Sequence, residues 1–213
     1  VLLAESAALR RRLGADAPLA ATPTARAFRM DLADLASVDA CVAELAAAGV
    51  AAPVVINNAG LTSPDAATTA QGYELTAGVN YLGTARFTLG LLQRGVLQGP
   101  RPRIVMVSSE EHRSSGIPKL GQQFPAAEVF CMPSEGDGIL NAMERYATSK
   151  LLLTTFSHEL ARRAGAHSSK NGFARAGFAL PPDVWVSDLE VIDVCPGPVA
   201  SDIARSAPWP LNE

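Results

Sequence analysis

The sequence predicts an α/β fold, a doubly wound parallel sheet with helices on both faces. Three observations carry that expectation. Apolar runs such as "VVI" at 54–56 and "IVMV" at 104–107 lack the alternation of a half-exposed sheet, so both faces of each strand should be covered. Helical stretches separate the runs, the order a parallel sheet requires. Each run ends in polar or turn residues: Glu5, Asp31, the amide pair Asn57–Asn58 with Ala59 and Gly60, Ser108–Ser109, and Pro196–Gly197. Ligands of open α/β sheets bind beyond the carboxyl ends of the strands, so these groups would share one rim.

In chain order, "VLLA" at 1–4 reads as the end of a buried strand, and "ESAALRRRLGA" as a helix closing at Gly14. "ARAFRMDL" (25–32) is strand-like. "SVDACVAELAAAG" (37–49) has the form of a helix capped by Ser37 and ended by Gly49. "APVVINNAG" is the next strand and its loop, and 71–95 is a long, largely apolar helix. Residues 102–109 form a strand, 140–165 a second long helix and 188–198 the last clear strand. Two connections exceed the usual few residues: 110–139 and the Gly-, Ser- and Pro-containing 166–187. The first leaves a strand end on the rim. Its Ile117, Leu120, Phe124, Val129, Phe130 and Met132 are more than a solvated loop needs, so it is expected to wall the substrate site.

The 213 residues suit a single domain (1–213) with a sizeable core: 48% are apolar and the formal charge is −3. That balance argues against nucleic-acid binding or an acidic membrane surface. No apolar run approaches the ~20 residues that span a bilayer. Cys41, Cys131 and Cys195 are odd in number and far apart. They form no metal-site spacing and are expected to be reduced thiols of an intracellular, cytoplasmic protein. Val1 is not expected to be the natural start, which leaves open a leader or membrane anchor ahead of it.

"YATSK" carries the sharpest chemistry. Tyr146 and Lys150 fall one turn apart on one helical face. With three tyrosines and three lysines in 213 residues, chance supplies only about 0.04 such pairs. A phenol is a poor base at neutral pH, and a nearby ammonium favours its phenolate. Such a phenol can take a proton from an alcohol or return one to a carbonyl. A serine hydroxyl from the adjacent strand end would hold the substrate oxygen.

"NNAG", "VNYLG", "VSS", "YATSK" and "CPGPVASD", in that order, resemble the short-chain dehydrogenase/reductase family over nearly the whole chain. "RIVMVSS", "YATSKLLL" and "ELARR" look most like its retinol-dehydrogenase and carbonyl-reductase branch. The resemblance implies a Rossmann-type fold and a Ser-Tyr-Lys site with an asparagine: Ser109, Tyr146, Lys150 and Asn80. It implies cofactor contacts from Asp31 and Leu32 at the adenine edge, and from Asn57, Asn58, Ala59 and Gly60 beside the adenosine. Tyr146 and Lys150 would also touch the cofactor, and Pro196, Gly197, Val199 and Ser201 would meet the nicotinamide end. Glu5 would accept bonds from the ribose hydroxyls and repel a 2′-phosphate, which favours NAD over NADP. No metal is implied. The substrate would be a small lipophilic alcohol or carbonyl compound, and the protein a homo-oligomer.

The family's first strand and glycine-rich turn have no counterpart in these residues, nor has its usual last strand. The natural protein is therefore expected to carry about 30 or more residues ahead of Val1. Two other readings compete: a non-catalytic dinucleotide-sensing or interaction protein that keeps the fold, and a sugar-nucleotide epimerase or dehydratase, which shares Tyr-x-x-x-Lys.

Overall fold

Three short parallel strands form the sheet: β1 (Val54–Asn57), β2 (Arg103–Val107) and β3 (Glu190–Val194), in that spatial order. The structure, a computed structural model, describes residues 25–116, 131–133, 138–168 and 188–197. The registers align Asn57 with Met106 and Met106 with Asp193, so these three side chains share one face. Val55, Ile104 and Val191 share it one step earlier.

That face is covered by helices. α1 spans Leu35–Ala47. The long helix expected over 71–95 is three pieces: α2 (Leu75–Ala77), a π-helical stretch (Gly78–Gly83) and α3 (Thr84–Gln93). α4 runs over Ile139–Ser168. Val42 of α1, Leu91 and Leu92 of α3, and Leu153 and Leu160 of α4 pack with Ile104 and Met106 into one core. Each such burial is worth about 1.5–3 kcal/mol. Among the described residues the opposite sheet face is open: Val54 is 47% and Ile56 64% exposed. The parallel sheet and its helices thus match the expected fold class, with the described helices on one face only.

Two local expectations need correction. The strand-like 25–32 forms no strand, because among the described residues it has no neighbour to ladder with. Instead the Arg26 guanidinium stacks 4.6 Å over the Phe28 ring. The cap of α1 is Asp34, whose carboxylate accepts from Ala36 N–H at 3.0 Å. Ser37 lies inside the helix and accepts the Asp31 N–H. Both residue types cap well, and only the chain path decides between them. Gly49 does end the helix, at φ +65°. Cys41 and Cys131 are buried and Cys195 exposed, all three free. The strand at 1–4, the helix to Gly14, and most of the two long connections lie outside the described residues. No described helix is long and apolar enough to cross a membrane.

Candidate active site

The carboxyl ends of β1, β2 and β3, the π-helical stretch and α4 converge on one place. Asn80 sits in the π-helical stretch and is 1% exposed. Its Oδ1 accepts the Leu61 N–H at 2.8 Å, and its Nδ2 donates to Leu61 O and to Ser149 Oγ, both at 2.9 Å. Ser149 in turn donates to Tyr146 O at 2.7 Å. One amide thus ties the loop after β1 to the helix that carries Tyr146 and Lys150. The π-turn has its own support, since Thr84 Oγ1 donates five residues back to Val79 O at 3.2 Å. Such turns often mark functional sites.

Lys150 is 3% exposed, and its ammonium donates to Val107 O, at the end of β2, at 2.8 Å. Burial pulls it down to about 8, against the smaller opposing fields of Asp193 and Cys195. Its Nζ lies 5.6 Å from the Tyr146 ring centre. The Tyr146 phenol, half-buried, is raised above its ordinary 10, first by burial and then by Glu111 and Cys195, while a hydrogen bond from Ser109 pulls it the other way. The Tyr-Lys spacing leads one to expect a lowered phenol; here burial, joined by Glu111 and Cys195, outweighs the Ser109 hydrogen bond and the shift runs upward.

The two serines of "VSS" part company. Ser108 is buried, with its hydroxyl 2.7 Å from Thr154 Oγ1 on α4. Ser109 caps the short 3-10 turn Glu110–Ser114, accepts the Glu111 N–H at 3.3 Å and bonds the Tyr146 phenol. The turn is fixed to α4 on either side of Tyr146: Ser115 Oγ lies 3.2 Å from Thr148 Oγ1, and Gly116 N–H donates to Glu144 Oε1 at 2.8 Å.

Of the residues expected to meet a cofactor, Asn58, Ala59, Pro196 and Gly197 are exposed on the rim and Gly60 is half-buried. A Cβ at Gly60 would stand 3.2 Å from Asn80 Oδ1 and 3.5 Å from Lys150 Nζ. Glycine keeps that approach open. This bare backbone beside a buried ammonium fits a flat dinucleotide with ribose hydroxyls to place. Asn57 behaves differently. Its side chain turns into the core and donates to Thr88 Oγ1 at 3.0 Å, with Met106 Sδ at 3.2 Å. Asp31 is exposed and accepts the Ala33 N–H at 2.8 Å, while the Leu32 carbonyl packs directly on Gly83. Glu5, Val199 and Ser201 lie outside the described residues.

Ser149, Glu111 and the buried pair Arg145–Glu74 escaped the sequence reading. Ser149 lies within "YATSK", but only the fold brings Asn80 to it. Arg145 Nε is 3.5 Å from Glu74 Oε1, with both side chains almost fully buried. Glu74 also caps α2 through the Thr76 and Ala77 N–H groups at 2.9 and 2.6 Å. No local signal links two charges so far apart in the chain. Among the described residues no cluster could hold a metal ion.

Known proteins resemble this chain in sequence and fold. The sequence profile of the short chain dehydrogenase family matches residues 2–119. "Short chain dehydrogenase resG" of Aspergillus sclerotiorum is 34% identical over 158 residues, 67% of this chain and 43% of that protein. Mouse "Retinol dehydrogenase 14" is 36% identical over 137 residues, 63% of this chain and 36% of its own. Brucella melitensis 3-oxoacyl-[acyl-carrier protein] reductase, solved in complex with NAD, shares the fold with a TM-score of 0.51 at 22% identity, over 84% of this chain and 56% of that one. The chain belongs to the short-chain dehydrogenase family and has the family's Rossmann-type fold. It spans less than half the length of these curated relatives.

Proposed function

We propose that the chain carries the catalytic part of a nicotinamide-dependent oxidoreductase that interconverts a lipophilic alcohol and its carbonyl compound. The observation that supports this most is the convergence of Ser109, Tyr146, Lys150 and Asn80 at the carboxyl ends of the strands. A bound nicotinamide dinucleotide supplies or accepts the hydride. Tyr146 holds its proton at neutral pH, because burial keeps the phenol above 10. It is therefore set to donate that proton to the oxygen of a carbonyl being reduced. Ser109, bonded to the phenol, holds the same oxygen. Lys150, fixed at Val107 O, offers its other two protons to ribose hydroxyls and stabilises the negative charge left on Tyr146. Asn80 holds the loop after β1 against α4, so that Gly60 and Lys150 keep their spacing.

A lipophilic substrate accords with relatives named for retinol. It accords as well with the 110–139 segment, whose described start is fastened to α4 around Tyr146. NAD is the cofactor favoured by Glu5. Replacing Tyr146 by Phe should abolish most turnover, by about 100-fold or more, while NADH affinity, read by nicotinamide fluorescence, stays within about twofold. Turnover like the parent's would overturn the assignment.

A further inference from the structure

Asp193 has no part in the chemistry above. It stands on β3, level with the fully buried Met106 and on the helix-covered face of the sheet. Its Oδ2 is buried and has no hydrogen-bond partner among the described residues. A carboxylate oxygen so placed is costly unless a positive charge compensates it. Lys150 is the cation at hand. Its ammonium is anchored to Val107 O, and Val107 pairs across the ladder with Val194, the residue after Asp193. The two charges are thus one strand and about one residue apart, both under α4, where a low dielectric lets a field act without direct contact.

We infer that Asp193 is a positioning residue for Lys150: its half-buried carboxylate, with Oδ2 turned away from solvent, keeps the ammonium charged and in place at the end of β2. The direction of its influence agrees: Asp193 is the largest of the effects that oppose the pull of burial on Lys150, ahead of Cys195. Among the described residues the other titratable groups around the site are Tyr146 on the same helix, and Glu111 and Cys195, which act on the phenol. Asn80 and the backbone of Val107, also at the site, carry no net charge. An asparagine at 193 would keep the shape and remove the field.

The inference rests on the proposed catalysis only where turnover is concerned, so the test has two arms. The first is the titration of Lys150 itself. The chain has only three lysines, Lys119, Lys150 and Lys170, so the protein labelled with 13C at lysine Cε gives three lysine signals, and Lys150→Met assigns the one that matters. In Asp193→Asn the Lys150 midpoint should fall by at least about half a pH unit. Asp193→Glu, which keeps the charge, should recover part of the shift. If the amide variant does not fold, Asp193→Ser provides the second neutral side chain. A midpoint that stays put, or rises, in a folded neutral variant would overturn the inference. The second arm is the alkaline limb of carbonyl reduction, which should move down with the Lys150 midpoint. A limb that stays while the midpoint moves would leave the Asp193–Lys150 coupling standing and remove Lys150 from the proposed chemistry.

Discussion

Arg145 and Lys150 lie five residues apart on α4, at 7% and 3% exposure. Arg145 meets the Glu74 carboxylate and donates from Nη2 to Ser63 O at 3.0 Å. Lys150 has a backbone carbonyl as its hydrogen-bond partner and no contact ion pair among the described residues. A planar fork that can satisfy several acceptors at once is matched to a structural joint. A compact ammonium left short of negative charge stays reactive, and its affinity for protons falls. Burial alone does not separate the two roles; the completeness of the compensation does.

The comparison would break most visibly at Lys150. Lys150→Met should lower turnover by about 100-fold or more, yet leave the free energy of unfolding at pH 7 within about 1 kcal/mol of the parent, because a desolvated charge is removed along with its hydrogen bond. Steady-state kinetics and urea unfolding read the two effects. Arg145→Met should do the reverse. It strands a buried Glu74 carboxylate and should cost about 3–5 kcal/mol in urea unfolding, and adding Glu74→Gln in the same chain should restore much of that loss.

A third measurement sharpens the contrast through pH. Burial depresses Lys150 to about 8 from its ordinary 10.5. Between those values the unfolded chain keeps a proton that the folded lysine has released. Stability from this group therefore rises with pH through that window, and its penalty is fully present below it. The parent should gain on Lys150→Met between pH 8 and 10.5 in denaturation curves, whereas Arg145→Met should differ from the parent by a constant amount. The smallest effect belongs to an exposed pair. Asp39 and Arg86 meet at 2.7 Å with about half of each side chain in solvent, and Asp39→Asn should cost less than about 1 kcal/mol.

Lys150 was legible in the sequence because its chemistry fixes its spacing from Tyr146. Ser109 and Asn80 were named by the family resemblance, and the rim residues 58–60 stood out because turn chemistry restricts residue type at a strand end. The parallel sheet followed from unalternating apolar runs. Arg145 and Glu74 were not readable, since a buried ion pair is made by the meeting of distant segments. Nor was the inward turn of Asn57, where an amide suits a core hydroxyl as well as a ligand. The π-helical stretch leaves no mark in "GVNYLG", because apolar spacing tolerates one extra residue. The strand-like 25–32 shows the opposite failure, a local preference with no ladder to join.

The π-helical stretch also makes length, rather than composition, the guarded quantity in this part of the chain. A one-codon deletion between Gly78 and Gly83 would let α2 and α3 merge into a regular helix and turn one half by about 100° against the other. Asn80 would then lose Leu61 and Ser149, or Thr88 would lose Asn57; a regular helix cannot serve both ends. Substitutions at half-buried Leu82 can be absorbed by repacking, but its loss cannot. Insertions and deletions should therefore be far rarer than substitutions between residues 78 and 83 in any functional descendant of this chain.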